Sequence, residues 1–209
     1  MPVDAERYRN AISLTTFVNS YYQVRDVLRF SPRSVLIVGV GTGIEPVLLR
    51  HRFGLAVTTL DIDARFQPDV VGSVHDLSAF RPDQFDVALV SHVLEHMPFA
   101  YFEPALEQLA RVARNAVIYL PYGGRHLEWR FTLSQRVREW GLRLRIPPLR
   151  RVSGATPDLD GGDHYWELGF PGFSIDRIST LIARHFRILD RYHNQDWKYS
   201  YNFVLSRRA

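Results

Sequence analysis

Val35-Leu36-Ile37-Val38-Gly39-Val40-Gly41-Thr42-Gly43 is the stretch that decides the fold. Four branched apolar residues in a row suit a parallel strand covered on both faces, where the usual alternation of apolar and polar residues disappears. The glycines that follow at every second position let backbone amides approach a ligand that side chains would block. A dinucleotide fingerprint, G-x-G-x-x-G, would need its last glycine at position 44, which is Ile44. The turn therefore points to a nucleotide-like ligand and away from a nicotinamide dinucleotide. A plain strand-to-helix turn also fits it, so the flanking sequence has to decide.

Three further β-rich runs follow, and polar residues stand at the end of each. Residues 56–60 lead into Asp61-Ile62-Asp63, residues 70–74 into His75-Asp76-Leu77, and residues 85–90 into Ser91-His92-Val93-Leu94-Glu95-His96. An acid at the carboxyl end of a second strand is placed to accept hydrogen bonds from both hydroxyls of a ribose.

These four motifs, in this order, resemble the class I S-adenosylmethionine-dependent methyltransferases, and the resemblance covers residues 30–122 well. It implies an α/β fold: a Rossmann-like, doubly wound, seven-stranded mixed sheet. It implies S-adenosyl-L-methionine as cofactor, with Gly39, Val40, Gly41, Thr42 and Gly43 lining methionine and ribose and Asp61 on the diol. Ile62 then faces the adenine, Asp76 and Leu77 meet its edge, and Ser91 closes the floor with His92. One departure stands out, because the family usually carries an acid where this chain has Ile37. Either carbonyls and another acid such as Glu45 meet the cofactor's ammonium, or the cofactor is held more weakly. A methyltransferase-like protein that binds without catalysis is thus one alternative.

At 209 residues and 46% hydrophobic content the chain is long enough for one α/β core and too short for two. A single domain over 1–209 is expected, with a leading helical segment at 1–32 and a cap at 122–172. No run of eighteen apolar residues exists and the amino terminus lacks a charged-then-apolar pattern, which leads us to expect a cytoplasmic protein with no transmembrane segment. Cysteine is absent, which excludes disulfides, thiolate nucleophiles and the cysteine-held cluster that radical use of S-adenosylmethionine requires. Methyl transfer by direct displacement remains.

Phe17, Tyr21, Val24 and Leu28 fall at helical spacing, and the run stops at Ser31-Pro32, so a helix is expected ahead of the sheet. Residues 44–53 should form the first crossover helix. Pro104 suits the first position of another, with Leu106, Leu109, Val112 and Ala113 as its buried stripe. Strands are expected at 116–120, 186–192 and 201–205, with a helix at 174–184. The cap should contain a helical section over 132–142 and a proline- and glycine-rich loop over 147–162, and in the family this is where substrate recognition varies.

A sulfonium methyl is already a strong electrophile, so the enzyme has to align the acceptor and, for an oxygen nucleophile, remove its proton. Histidine titrates in the right range for that. His96, His92 and His164 are the candidates, with His126 and Tyr122 also able to reach the methyl position from the cap; as a bland alternative, these histidines orient loops. The run from His92 to His96 also spells H-x-x-E-H, but it begins where a strand ends and Pro98 cuts the next turn, so a zinc peptidase helix is disfavoured.

A metal reading is a second alternative. Methyltransferases of small-RNA 2′-hydroxyls carry an acid or histidine followed by Glu-His after the fourth strand, and a downstream histidine in a segment similar to residues 163–167. By that resemblance His92, Glu95, His96 and His164 would hold a divalent ion, although His92 replaces a glutamate. Arg125, Arg130, Arg136, Arg138, Arg143, Arg145, Arg150 and Arg151 crowd into the cap beside Trp129, Phe131 and Trp140. That composition suits phosphate contacts and base stacking, hence RNA or an anionic small molecule, or an amphipathic surface on lipid. It equally suits a chain whose default cation is arginine, since Lys198 is its one lysine. A small-molecule acceptor is the leading expectation, with RNA second.

Overall fold

The structure is a computed structural model that describes residues 13–123, 126–131, 140–145, 164–197 and 199–208. Its strands are β1 (Ser34–Val38), β2 (Ala56–Asp61), β3 (Val70–Val71), β4 (Phe85–Ser91), β5 (Ala113–Pro121), β6 (His126–Phe131), β7 (Trp140–Arg145), β8 (Phe186–His193) and β9 (Ser200–Arg207). Seven of them make one sheet in the order β3-β2-β1-β4-β5-β9-β8. All pairings from β3 through β5 are parallel, and β9 runs antiparallel to both of its neighbours. This is the mixed α/β sheet expected from the sequence.

The four branched residues of β1 behave as a doubly covered strand should. Leu36 and Val38 enter one apolar cluster, Val35 and Ile37 the other, and all four are buried. The second cluster is closed by α1 (Leu14–Leu28). The first is closed by α3 (Phe102–Val112) and α4 (Ile175–His185), which bury Leu106, Leu109, Ile178 and Ile182. Ser13 and Ser174 cap α1 and α4, their hydroxyls accepting from Thr16 N (3.1 Å) and Arg177 N (3.2 Å). The first crossover starts as α2 (Ile44–Val47) and widens into a π-helical turn over Leu48–Arg52.

Several local expectations shift. α3 starts at Phe102, two residues before Pro104, and Ala113 already belongs to β5. β3 stops at Val71, where the chain turns at Gly72. On α1, Phe17 and Tyr21 are exposed, while Ser20, Gln23, Asp26 and Val27 are buried. Of the section expected to be helical over 132–142, residues 140–142 lie in β7, which pairs antiparallel with β6 as a separate two-stranded hairpin; residues 132–139 lie outside the described residues. The loop at 147–162 also lies outside them. Among the described residues no helix is long and apolar enough to cross a membrane.

Candidate active site

The carboxyl ends of β1, β2 and β4 open into one cavity of about 520 Å³. Open parallel sheets place ligands here, where the strand order reverses. The turn after β1 forms one wall. Gly39, Gly41 and Gly43 have φ of 82°, 52° and 76°, a region that side chains rarely enter. Gly39 is doubly constrained, because a Cβ there would lie 2.5 Å from Val93 Cγ2 in the loop after β4. Of the glycine-motif residues, Gly39, Val40, Gly41 and Thr42 line the cavity, and Gly43 caps α2 just outside it.

Asp61, at the end of β2, faces the same space. Its Oδ2 accepts from Val40 N (2.8 Å) and its Oδ1 from Asp63 N (2.9 Å), so one carboxylate ties the glycine turn to the turn after β2. Asp63 is spoken for by Arg65, which holds its carboxyl below the usual range through side-chain and backbone hydrogen bonds. Ile62 lines the cavity and is 75% exposed, leaving an apolar face open to a ring. Asp76 and Leu77 lie elsewhere. Leu77 is buried in the apolar cluster, and Asp76 turns to accept from Ser78 N (3.1 Å), which lowers its pKa. Gly72, Ser73 and Val74 take the wall that those two residues were expected to form, because β3 ends early.

The opposite end is a histidine cluster. Ser91, His92, His96 and His164 all line the cavity. His92 has φ of 52°, its N–H donates to Tyr119 O (3.0 Å), and its ring stacks parallel to Tyr199 with centroids 6.1 Å apart. The rings of His96 and His164 meet edge to face at 4.6 Å. His164 Nδ1 lies 2.7 Å from Glu167 Oε1, which also accepts from Tyr199 Oη (2.8 Å). A carboxylate only accepts, so this contact places a hydrogen on Nδ1 and leaves Nε2 as the basic nitrogen. Tyr165 N donates to Glu95 O (2.8 Å), tying the 164–167 segment to the turn after β4.

Glu95 sits behind this cluster, fully buried, and neither carboxylate oxygen accepts a hydrogen bond from a described residue. His92 Nδ1 and His164 Nε2 stand 3.4 and 4.0 Å from its Oε1. Ligand-type atoms of Glu95, His96 and His164 all fall within 4.8 Å of one another. The fold thus gathers the His92, Glu95, His96 and His164 set that the sequence singled out. It does not gather Tyr122, whose ring packs against His193 and Tyr201 away from the cavity.

A family profile described as "Methyltransferase domain" matches residues 36–120, the span that carries the glycine turn, Asp61 and the post-β4 histidines. Over that span the chain is similar to the S-adenosylmethionine-dependent methyltransferases. Solved methyltransferases share the fold of this chain at low identity. N-methyltransferase NodS from Bradyrhizobium japonicum WM9, in complex with S-adenosylhomocysteine, has a TM-score of 0.61 at 11% identity, covering 98% of this chain and 97% of that one. An S-adenosylmethionine-dependent methyltransferase from Clostridium acetobutylicum ATCC 824 reaches 0.59 at 7% identity, covering 96% and 94%. The 1,6-didemethyltoxoflavin-N1-methyltransferase of Burkholderia thailandensis reaches 0.56 at 17% identity, covering 98% and 84%. No curated protein sequence matches this chain significantly.

The leading helix was expected ahead of the sheet, but the residues it places in the cavity, and those of a second wall, were not named from the sequence. Thr15, Thr16, Asn19, Ser20 and Gln23 line it from α1, and Trp197 and Tyr199 from the connection between β8 and β9. Polar residues repeating along residues 15–23 were a signal for the first wall. The second belongs to a loop with no periodicity. Most of the arginine-rich stretch lies outside the residues whose side chains are described.

Proposed function

We propose that this chain methylates a small-molecule acceptor with S-adenosylmethionine, using a histidine of the post-β4 cluster as general base. The observation that carries the reading is one continuous cavity with a glycine turn and Asp61 at one end and His92, His96 and His164 at the other. Its residues fit the cofactor. The glycine turn leaves room for the methionine chain, Asp61 retains lone pairs for the ribose diol beyond its two main-chain contacts, and Ile62 and Val74 offer apolar faces to the adenine. Bound S-adenosylmethionine supplies a sulfonium methyl for in-line displacement. The chain's own residues then position the acceptor and take up its proton. His164 suits that task, because Glu167 and Tyr199 fix its ring and leave Nε2 basic. Trp197, Tyr199 and α1 wall the site and limit water.

Calorimetric titration with S-adenosylhomocysteine, followed by transfer of labelled methyl groups to fractionated small metabolites, tests the reading. Absence of cofactor binding would end it. Binding without transfer to any fraction would favour the non-catalytic alternative.

A second reading is favoured by one observation, the fully buried Glu95 carboxylate that accepts no hydrogen bond from a described residue while His96 and His164 stand beside it. A buried unpaired carboxylate is costly unless a cation joins it. Glu95, His96 and His164, with His92 as a fourth candidate, would hold a divalent ion, which would lower the pKa of an acceptor hydroxyl such as an RNA 2′-hydroxyl. Metal analysis of the purified protein and activity after chelation separate the two; full activity without metal leaves the histidine-base reading.

A further inference from the structure

Three carboxylates line the cavity among the described residues: Glu45, Asp61 and Asp63. Asp61 is engaged by two main-chain amides and Asp63 by Arg65. Glu45 differs from both. It is 8% exposed, its Oε1 accepts from the Ser20 hydroxyl at 2.5 Å, and no described cation pairs with it. Burial pushes its carboxyl up from the usual glutamate range, with the Ser20 contact opposing. No arginine or lysine lines the cavity among the described residues, so none of them brings a strong cation to this acid. An ionised carboxylate held this way is expensive unless the ligand brings the missing charge.

We infer that Glu45 receives the α-ammonium of the cofactor's methionine portion, with Ser20 of α1 holding the carboxylate in place. The inference rests on the S-adenosylmethionine reading and adds a named subsite to it. The sulfonium carries three arms. With ribose at Asp61 and the methyl directed to the histidines, the aminocarboxypropyl arm is left the polar end formed by Gly41, Thr42, Glu45 and the α1 residues Thr16, Asn19 and Ser20. Ile37, where the resemblance led us to expect an acid, lies in the apolar cluster beneath α1 and is 3% exposed, so it has no access to this end. The acid at this end stands instead on the helix that follows the glycine turn. Because its anchor is on α1, occupancy of the ammonium subsite also couples the leading helix to the bound cofactor.

The experiment is a calorimetric comparison of wild type and Glu45→Gln with two ligands: S-adenosylhomocysteine, and its analogue in which hydrogen replaces the amino group. Glutamine keeps the size and can still accept from Ser20, so the charge alone changes. A charge-assisted hydrogen bond corresponds to about 10- to 100-fold in affinity. Wild type is expected to prefer S-adenosylhomocysteine over the analogue by about that factor, and Glu45→Gln to weaken S-adenosylhomocysteine while leaving the analogue within about twofold. Equal weakening of both ligands, or of neither, overturns the assignment. If Glu45→Gln does not fold, wild type still decides, since equal affinity for the two ligands overturns it as well. A wild type that binds neither ligand removes the cofactor reading and the ammonium subsite with it; one that binds both without discrimination removes only the subsite.

Discussion

Replacing Asp61 by alanine removes the single side chain that ties the glycine turn to the turn after β2, and the structure allows the effect to be divided into two parts. In the free protein, Oδ2 and Oδ1 each accept one main-chain hydrogen bond, at 2.8 Å from Val40 N and 2.9 Å from Asp63 N. Hydrogen bonds to charged groups contribute roughly 1.5–3 kcal/mol each where water cannot replace them. Asp61 is only partly buried and faces an open cavity, so water will satisfy both amides in part. A loss of about 2 kcal/mol is expected, or about 4–8 °C in Tm for a chain of this size. In the complex proposed above, the same substitution also removes the acceptor for the ribose diol. Two lost contacts there amount to about 3 kcal/mol or more, hence a Kd for S-adenosylhomocysteine raised at least about 100-fold. Differential scanning fluorimetry reads the first quantity and isothermal titration calorimetry the second. Asp61→Asn separates them further, because its one carbonyl can accept from a single amide and its NH2 then opposes the other. An Asp61→Ala variant that binds S-adenosylhomocysteine within twofold of wild type refutes the placement of the ribose and the orientation of the cofactor built on it.

Other outcomes follow from contacts elsewhere. Asp26 is fully buried and accepts from Arg25 (2.8 Å), from Tyr119 Oη (2.8 Å) and from Tyr192 Oη, so Asp26→Ala removes the acceptor these two tyrosines share and should cost about 2–3 kcal/mol in a urea titration. Gly39→Ala places a methyl group 2.5 Å from Val93 Cγ2 at φ of 82°; we expect it to lower cofactor affinity at least about tenfold by calorimetry while α-helical circular dichroism is retained. Asp86 accepts from Arg33 N, Ser34 N and Ser34 Oγ, and these contacts hold its carboxyl below the usual range. The folded protein therefore takes up that proton less readily than the unfolded chain. The stabilisation is complete above the unfolded value of about 3.9 and is lost as pH falls through the lower folded value. Asp86→Asn should flatten the acid limb of a stability-versus-pH curve and leave its slope unchanged between pH 5 and 8.

The parallel part of the sheet was legible because its residues are dictated by their own burial. Val35 through Val38 can only be a run of branched apolar residues if both faces are covered, and the two apolar clusters show that they are. The residues that end β1, β2 and β4 were legible for a related reason, since polar groups have no place in such strands except at their carboxyl ends. Asp76 and Leu77 fall outside the cavity, which Gly72, Ser73 and Val74 line instead, because β3 is two residues long and too short for its end to be read. The helix α1 shows where periodicity misleads. Of its apolar stripe Val24 is buried but Phe17 and Tyr21 are exposed, while Ser20, Gln23 and Asp26 are buried. Burying these residues requires partners, and the partners are distant in sequence: Glu45 for Ser20, and Tyr119 and Tyr192 for Asp26. No local pattern reports them. A helix that buries polar residues while aromatic ones are available on another face is lying over a polar site. On that argument the orientation of α1 itself marks the cavity beneath it as a place for a charged and hydrogen-bonding ligand, independently of the glycine turn.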